Sequence, residues 1–214
     1  MEWPPVAEQV ERMEEALEII DRLLDGERLD HQGRFYRTKA AYIHTRGAPA
    51  AGVGVRLRAD RGGRAARLGD GLWTLANPDQ ARDTIDAYRG ACEDARNEPG
   101  EIILQAGFSW ARDDEAALDG ARVWKSTLIH NHFADDWHDP RAMYERAERE
   151  VSDDDFKKAY IVSSDPEQHA ERVRDIERLG ATIVCLQNGS GAAPEQALRV
   201  YGEQVLPALR GARV

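Results

Sequence analysis

Apolar residues at Val10, Met13, Leu17, Ile20 and Leu24 recur three and four apart, with Glu, Arg and Asp between them. That spacing puts one apolar stripe on a helix, so the pattern predicts a helix over Val6–Leu24 with Gly26 as its stop. Residues 27–46 break the period. Phe35, Tyr36 and Tyr42 gather around Gly33, which suits a small hairpin or loop excursion. Beyond it the chain settles into a rhythm. An apolar run at 53–57 leads to a short Ala/Arg/Leu stretch, and Gly71–Leu75 leads to a helical pattern over 78–96. A run at 101–108 leads to helical segments at 113–130 and Pro140–Glu150, and a run at 182–187 leads to a helix over 194–209. Four short strands alternating with helices predict an α/β fold of parallel βα units in one domain, residues 1–214.

The last unit is the best formed. Ser164-Asp165-Pro166-Glu167 places a capping residue before a proline in a first helical turn, and Ala170, Val173, Ile176 and Leu179 then mark one buried face. Gly180 ends that helix, and the apolar run after it suits a strand covered on both faces. Four parallel strands form either a small open sheet or half of an eight-stranded barrel, and periodicity leaves both open. Ser152 followed by Asp153-Asp154-Asp155 reads as a solvated helix start, and Gly69-Asp70-Gly71 as a turn that launches a strand.

Composition narrows the function classes. Among 214 residues, Lys and Arg number 29 against 39 Asp and Glu, a formal net charge of −10 spread along the chain. Nucleic acid is therefore a poor partner, because its backbone calls for a concentrated basic face. No window approaches the roughly 18 apolar residues of a membrane helix, and the start Met1-Glu2-Trp3-Pro4-Pro5 lacks the order of a signal peptide, so a cytoplasmic setting is expected. Cys92 and Cys185 stand far apart with no metal spacing and read as reduced, buried thiols. His130, His132 and His138 in the segment 130–139 are ligand types, but two-residue spacing does not share a helical face, and no metal is expected.

Several motifs in order carry a family likeness. Trp3-Pro4-Pro5 before the first helix, Gly26-Glu27-Arg28, Gly33-Arg34-Phe35-Tyr36-Arg37, Gly69-Asp70-Gly71, Ser164-Asp165-Pro166-Glu167 and Tyr201-Gly202-Glu203-Gln204-Val205-Leu206-Pro207 together resemble luciferase-like flavin and deazaflavin oxidoreductases. The nearest sub-group is that of F420-dependent glucose-6-phosphate dehydrogenases, and the likeness spans nearly the whole chain. It implies a TIM (β/α)8 barrel, coenzyme F420 or, in the other branch, FMN, and hydride transfer between the ring and an alcohol or carbonyl carbon of a small-molecule substrate. In that family the Trp-Pro-Pro-like segment begins the helix after the fourth strand, with an insertion following it. The resemblance therefore implies the last four βα units of a barrel, with the family's catalytic histidine and glutamate upstream and no catalytic residue assigned here. Such a piece is expected to be inactive alone. The other expectations are a non-catalytic half-barrel that associates through open sheet edges, as a homodimer or with a first half, or a truncation without independent biology.

The likeness also places candidate residues at the carboxyl ends of the strands, where α/β barrels hold their chemistry. After the first run the family has a small-residue turn that meets the cofactor phosphate. Here Arg58, Ala59, Arg61, Gly62 and Gly63 take that place, with either Arg58-Ala59 or Gly62-Gly63 in the turn, and free amides with arginine charge suit a phosphate. Residues 46–68 are built almost entirely from Arg, Gly, Ala, Val, Leu and Pro, a mixture that an out-of-frame reading of GC-rich DNA also produces. Thr74, Trp110, Gln187 and Asn188 close the other runs and offer an aromatic wall and neutral hydrogen-bonding groups for substrate. Trp124 flanks the 130–139 loop and is expected to bear on substrate selectivity. The loop Ala76-Asn77-Pro78-Asp79 and Ala159 lack the basic residues that glucose 6-phosphate binding calls for in the family.

Overall fold

A computed structural model describes residues 4–44, 71–129 and 139–211. The expected strand at 53–57, the Arg58, Ala59, Arg61, Gly62 and Gly63 turn and His130, His132 and His138 lie outside the described residues.

Helix α1 spans Val6–Leu24, as its apolar stripe predicts, and Gly26 ends it at φ +83° with its amide bonded to the Leu23 carbonyl. The following segment is an antiparallel hairpin, β1 Leu29–Gln32 and β2 Arg37–Ala41. Glu15 of α1 ties it down, accepting from the Tyr36 amide at 2.8 Å, the Phe35 amide at 3.0 Å and facing His31 Nε2 at 3.1 Å. Burial of that carboxyl raises its pKa, and these hydrogen bonds together overcome the effect and hold it below the ordinary 4.5. The guanidinium groups of Arg12 and Arg34 lie over the Phe35 ring, 4.7 and 4.8 Å from its centroid.

The main body is a parallel sheet of β3 Gly71–Leu75, β4 Glu101–Ser109, β5 Ile161–Val162 and β6 Ile183–Asn188. Register pairs Leu72 with Ile102 and Leu75 with Gln105 on one edge of β4, and Ile103 with Ile183 and Phe108 with Asn188 on the other. Phe108 pairs with both Ile161 and Asn188, so β5 continues the edge that β3 begins. The two-residue β5 is an element that period reading missed, because two residues carry no alternation.

Helices cover one face. Leu72, Ile102, Leu104, Ala106 and Phe108, the apolar even positions of β3 and β4, join Val184 and Leu186 of β6 in the core. Against them pack α2 Pro78–Asp94, through Ala81, Ile85, Tyr88 and Cys92, and α6 Pro166–Arg178, through Ala170, Val173 and Ile176. Asp165 caps α6 by accepting from the Glu167 amide at 2.9 Å, with Pro166 in the first turn. The C-terminal helix, expected as one piece over 194–209, is α7 Pro194–Val200, a π turn Tyr201–Val205 and α8 Leu206–Gly211. Pro207 explains the break: it has no N–H for the Glu203 carbonyl and its ring crowds that carbonyl, so the preceding turn widens and Leu206 bonds Tyr201 instead.

After β4 the chain forms α3 Asp114–Ala121, then tightens into a 3-10 helix Arg122–Leu128. Helices α4 Pro140–Glu150 and α5 Asp153–Ala159 follow, the latter capped by Ser152 as its acidic first turn implies. These elements share a second core of Leu118, Ala121, Val151 and Phe156. Among the described residues, no helix is long and apolar enough to cross a membrane.

Candidate functional site at the carboxyl ends of the strands

Because side chains alternate across a sheet, the register assigns Trp73, Leu75, Ile103, Gln105, Gly107, Cys185 and Gln187 to the face away from the helices. Three of them form a rung. Trp73 Nε1 donates to Gln105 Oε1 at 3.1 Å, and Gln105 Nε2 donates to Gln187 Oε1 at 3.0 Å. The next step toward the carboxyl end is Gly107, and the Tyr160 ring lies directly on it. A Cβ at Gly107 would stand 1.9 Å from Tyr160 Cε1, so only glycine leaves room for that ring. Tyr160 also stacks on Phe156 with centroids 4.6 Å apart. Burial pushes its phenol pKa up, against the opposing effect of its hydrogen bond with Thr127.

The residues named from sequence fall into two groups. Trp110, Trp124, Gln187 and Asn188 converge where β4 and β6 end. The Trp110 amide donates to Ser190 Oγ at 3.0 Å, the Ser190 amide donates to Asn188 Oδ1 at 3.0 Å, and Asn188 Nδ2 donates to the Pro194 carbonyl at 2.9 Å. The Trp110 indole donates to the Ser164 carbonyl at 2.9 Å. Asn188 and Trp110 thus spend their polar atoms on shaping the loops. Trp124 lies against the Gly189 backbone, its Nε1 3.1 Å from where a Cβ would stand. Its sequence neighbours are anchored by ion pairs: Arg122 Nη1 bonds Glu148 Oε2 at 3.2 Å, and Lys125, almost wholly buried, pairs with Asp153. Thr74 stands apart, because its register with Leu104 puts it on the helix-covered face.

Asp114 holds the loops together from above, accepting from the Ser164 amide at 2.6 Å and the Ser164 hydroxyl at 2.8 Å. These bonds, the amide first, keep its carboxyl below the usual 3.8. Behind the sheet, His169 is wholly buried, with Nε2 2.9 Å from the Ser163 carbonyl and Nδ1 2.8 Å from Tyr201 Oη. A carbonyl only accepts, so Nε2 carries the proton and Nδ1 accepts from the phenol. Burial also pushes the histidine pKa below 6.5, and the ring is neutral. Trp73, Gln105 and Tyr160 were missed in sequence. The signal for Gln105 was present as one amide inside the otherwise apolar stretch 102–108.

Residues 3–182 match the family model described as luciferase-like monooxygenase. The chain belongs to that family. Among curated luciferase-like relatives, an F420-dependent glucose-6-phosphate dehydrogenase of Microbacterium testaceum is 29% identical over 217 residues, covering 98% of this chain and 64% of its own length. Another of that name from Intrasporangium calvum is 31% identical over 216 residues, with 98% and 64% covered. Among solved structures, an F420-dependent secondary alcohol dehydrogenase in complex with an F420-acetone adduct superposes with a TM-score of 0.84 at 23% identity, covering 98% of this chain and 64% of that one. The coenzyme F420 dependent tetrahydromethanopterin reductase of Methanopyrus kandleri gives 0.74 at 16% identity, with 92% and 62% covered. The likeness to the solved structures shows the α/β fold with its parallel sheet. The chain spans about 64% of the length of the relatives it matches.

Proposed function

We propose that this chain carries part of the site of an F420-dependent oxidoreductase that passes a hydride between the deazaflavin and an alcohol or carbonyl carbon. In that reading β3, β4 and β6 are consecutive staves of a (β/α)8 barrel, the chain supplies its last four units, and the face away from the helices is the barrel interior. The observation that carries the proposal is the neutral rung of Trp73, Gln105 and Gln187 at the carboxyl half of that face, beside the ring of Tyr160. Aromatic walls with carboxamide donors suit a flat, uncharged ring with carbonyl oxygens. When bound, the deazaflavin supplies the hydride acceptor or donor.

The side chains of this face bind and orient. On this face the carboxyl halves of β3, β4 and β6 hold no carboxylate and no histidine, so proton transfer is not assigned to them. Trp110, Trp124 and Asn188 set the shape of the rim, Gln187 meets substrate, and Thr74 supports β3 from behind. The phosphate of the cofactor is assigned, on its sequence chemistry, to Arg58, Ala59, Arg61, Gly62 and Gly63. Ala159 and the 76–79 loop offer no cation for a sugar phosphate, which favours an uncharged substrate.

Fluorescence titration of the purified chain with F420, with FMN as control, tests the proposal. Saturable binding of F420 in the micromolar range supports it. Preference for FMN moves the chain to the monooxygenase branch, and binding of neither flavin overturns the cofactor assignment. Association through open sheet edges is a second reading, favoured by β3 and β6, each of which pairs only with β4 among the described residues. Light scattering after size exclusion distinguishes a monomer from a dimer at micromolar concentration.

A further inference from the structure

The rung has a direction. The Trp73 indole N–H donates and has no acceptor, so the Gln105 atom facing it is the carbonyl oxygen. That choice turns the Gln105 nitrogen toward β6, and the Gln187 atom facing it is therefore again the oxygen. The indole at one end thereby sets the orientation of both carboxamides. Gln187 Nε2, the far end of the relay, makes no hydrogen bond among the described residues.

From this polarity we infer that Gln187 Nε2 is a binding point for an uncharged carbonyl oxygen, of the substrate or of the deazaflavin, and that Trp73 acts through Gln105 as the positioning residue that keeps this terminus a donor. The inference rests on the proposed oxidoreductase reading for the identity of the two candidate carbonyls. It does not rest on that reading for the polarity, which follows from the indole alone. Charge supports the choice of a neutral oxygen. Gln105 and Gln187 have as same-face neighbours Leu75, Ile103, Gly107 and Cys185, and none is a cation. Phosphate or carboxylate would give up its hydration there for one amide donor, a poor exchange. A carbonyl oxygen gives up little and gains a partner that the relay has already oriented. The relay also turns Gln105 Oε1 toward the indole and Gln187 Oε1 toward Gln105, which leaves Gln187 Nε2 as its terminal donor.

The test uses ligand-observed NMR on the full chain with cyclohexanone, which only accepts, and cyclohexanol, which also donates, alongside the F420 titration. Gln187→Glu replaces the donor by an acceptor. It is expected to weaken cyclohexanone by about tenfold while cyclohexanol stays within about twofold, because the alcohol donates to the new carboxylate. Trp73→Phe keeps an aromatic ring but releases the polarity, and the ketone-to-alcohol ratio is expected to fall by about threefold. A merely structural role would move both ligands together and leave the ratio unchanged. If Gln187→Glu weakens F420 and leaves cyclohexanone alone, the carbonyl is that of the deazaflavin and the site stands. An unchanged ratio in Trp73→Phe with unchanged F420 affinity overturns the inference, as does a wild-type chain that binds neither ketone nor F420. A wild-type chain that binds cyclohexanone but not F420 overturns the cofactor assignment alone, and the ratio still decides the relay.

Discussion

Tyr201→Phe removes one oxygen from the interior and almost nothing else. The ring rests on Phe108 with centroids 3.9 Å apart, and phenylalanine keeps that contact. What is lost is the donor to His169 Nδ1 at 2.8 Å, on a side chain with no exposed surface whose other nitrogen is committed to the Ser163 carbonyl. A buried acceptor left without a partner costs about 1–3 kcal/mol. For a chain of this length that corresponds to a fall in melting temperature of roughly 2–12 °C. Urea unfolding followed by tryptophan fluorescence measures it. The pH dependence has a sign of its own. In the native protein burial holds the His169 pKa below 6.5, so its contribution is fully present above 6.5 and is lost as pH falls through the folded value. Tyr201 Oη can donate to the neutral ring and accept from the protonated one, and burial depresses the histidine pKa with or without it. Both proteins are therefore expected to lose stability as pH falls from 6.5 through the folded value. A gap below about 0.5 kcal/mol at neutral pH refutes the assigned tautomer and its partner.

Three further outcomes follow from named contacts. Phe156→Ala empties a fully buried site beneath Tyr160 and is expected to cost about 3–5 kcal/mol by thermal or urea unfolding, with a loss under 1 arguing that the second core collapses to fill it. Gly107→Ala drives a methyl into the Tyr160 ring and is expected to destabilise by about 1–3 kcal/mol, while the same change in a Tyr160→Ala background is nearly neutral; additive losses would show that the two do not touch. Glu15→Gln removes a carboxyl whose pKa is held below 4.5 in the folded chain. The native protein has the benefit above 4.5 and loses it as pH falls through the folded value, so the variant is expected to show a flatter acid limb in unfolding measured against pH.

Long helices and the two longest strands were legible because each has a single dominant signal. The stripe of α1, the Pro166 start of α6 and the apolar runs of β4 and β6 all sit where spacing places them. Breaks within helices were not legible in the same way. The segment after Asp113 keeps apolar spacing past Ala121, yet it tightens to a 3-10 helix as Arg122 and Lys125 reach carboxylates on α4 and α5. Those partners are 23 or more residues away in sequence, and no local window contains them. Pro207 was visible, but its effect is transmitted backward to Tyr201, a turn earlier than the residue that causes it.

The site shows the same limit in sharper form. Naming the residues that end each apolar run finds Trp110, Gln187 and Asn188, because chain order locates a strand end well. It does not say which face a residue takes. Thr74 and Trp73 are neighbours, and a shift of one position exchanges the helix side for the open side. Only register decides, and register is a property of two strands. Gln105 reports this most clearly: alone it is a polar interruption in a buried strand, a cost without a reason. Paired with Trp73 on one side and Gln187 on the other, it becomes the link that passes an indole's fixed polarity across three strands. The functional content of that residue lies in which of its two amide atoms faces which neighbour, information that exists only once the sheet has assembled.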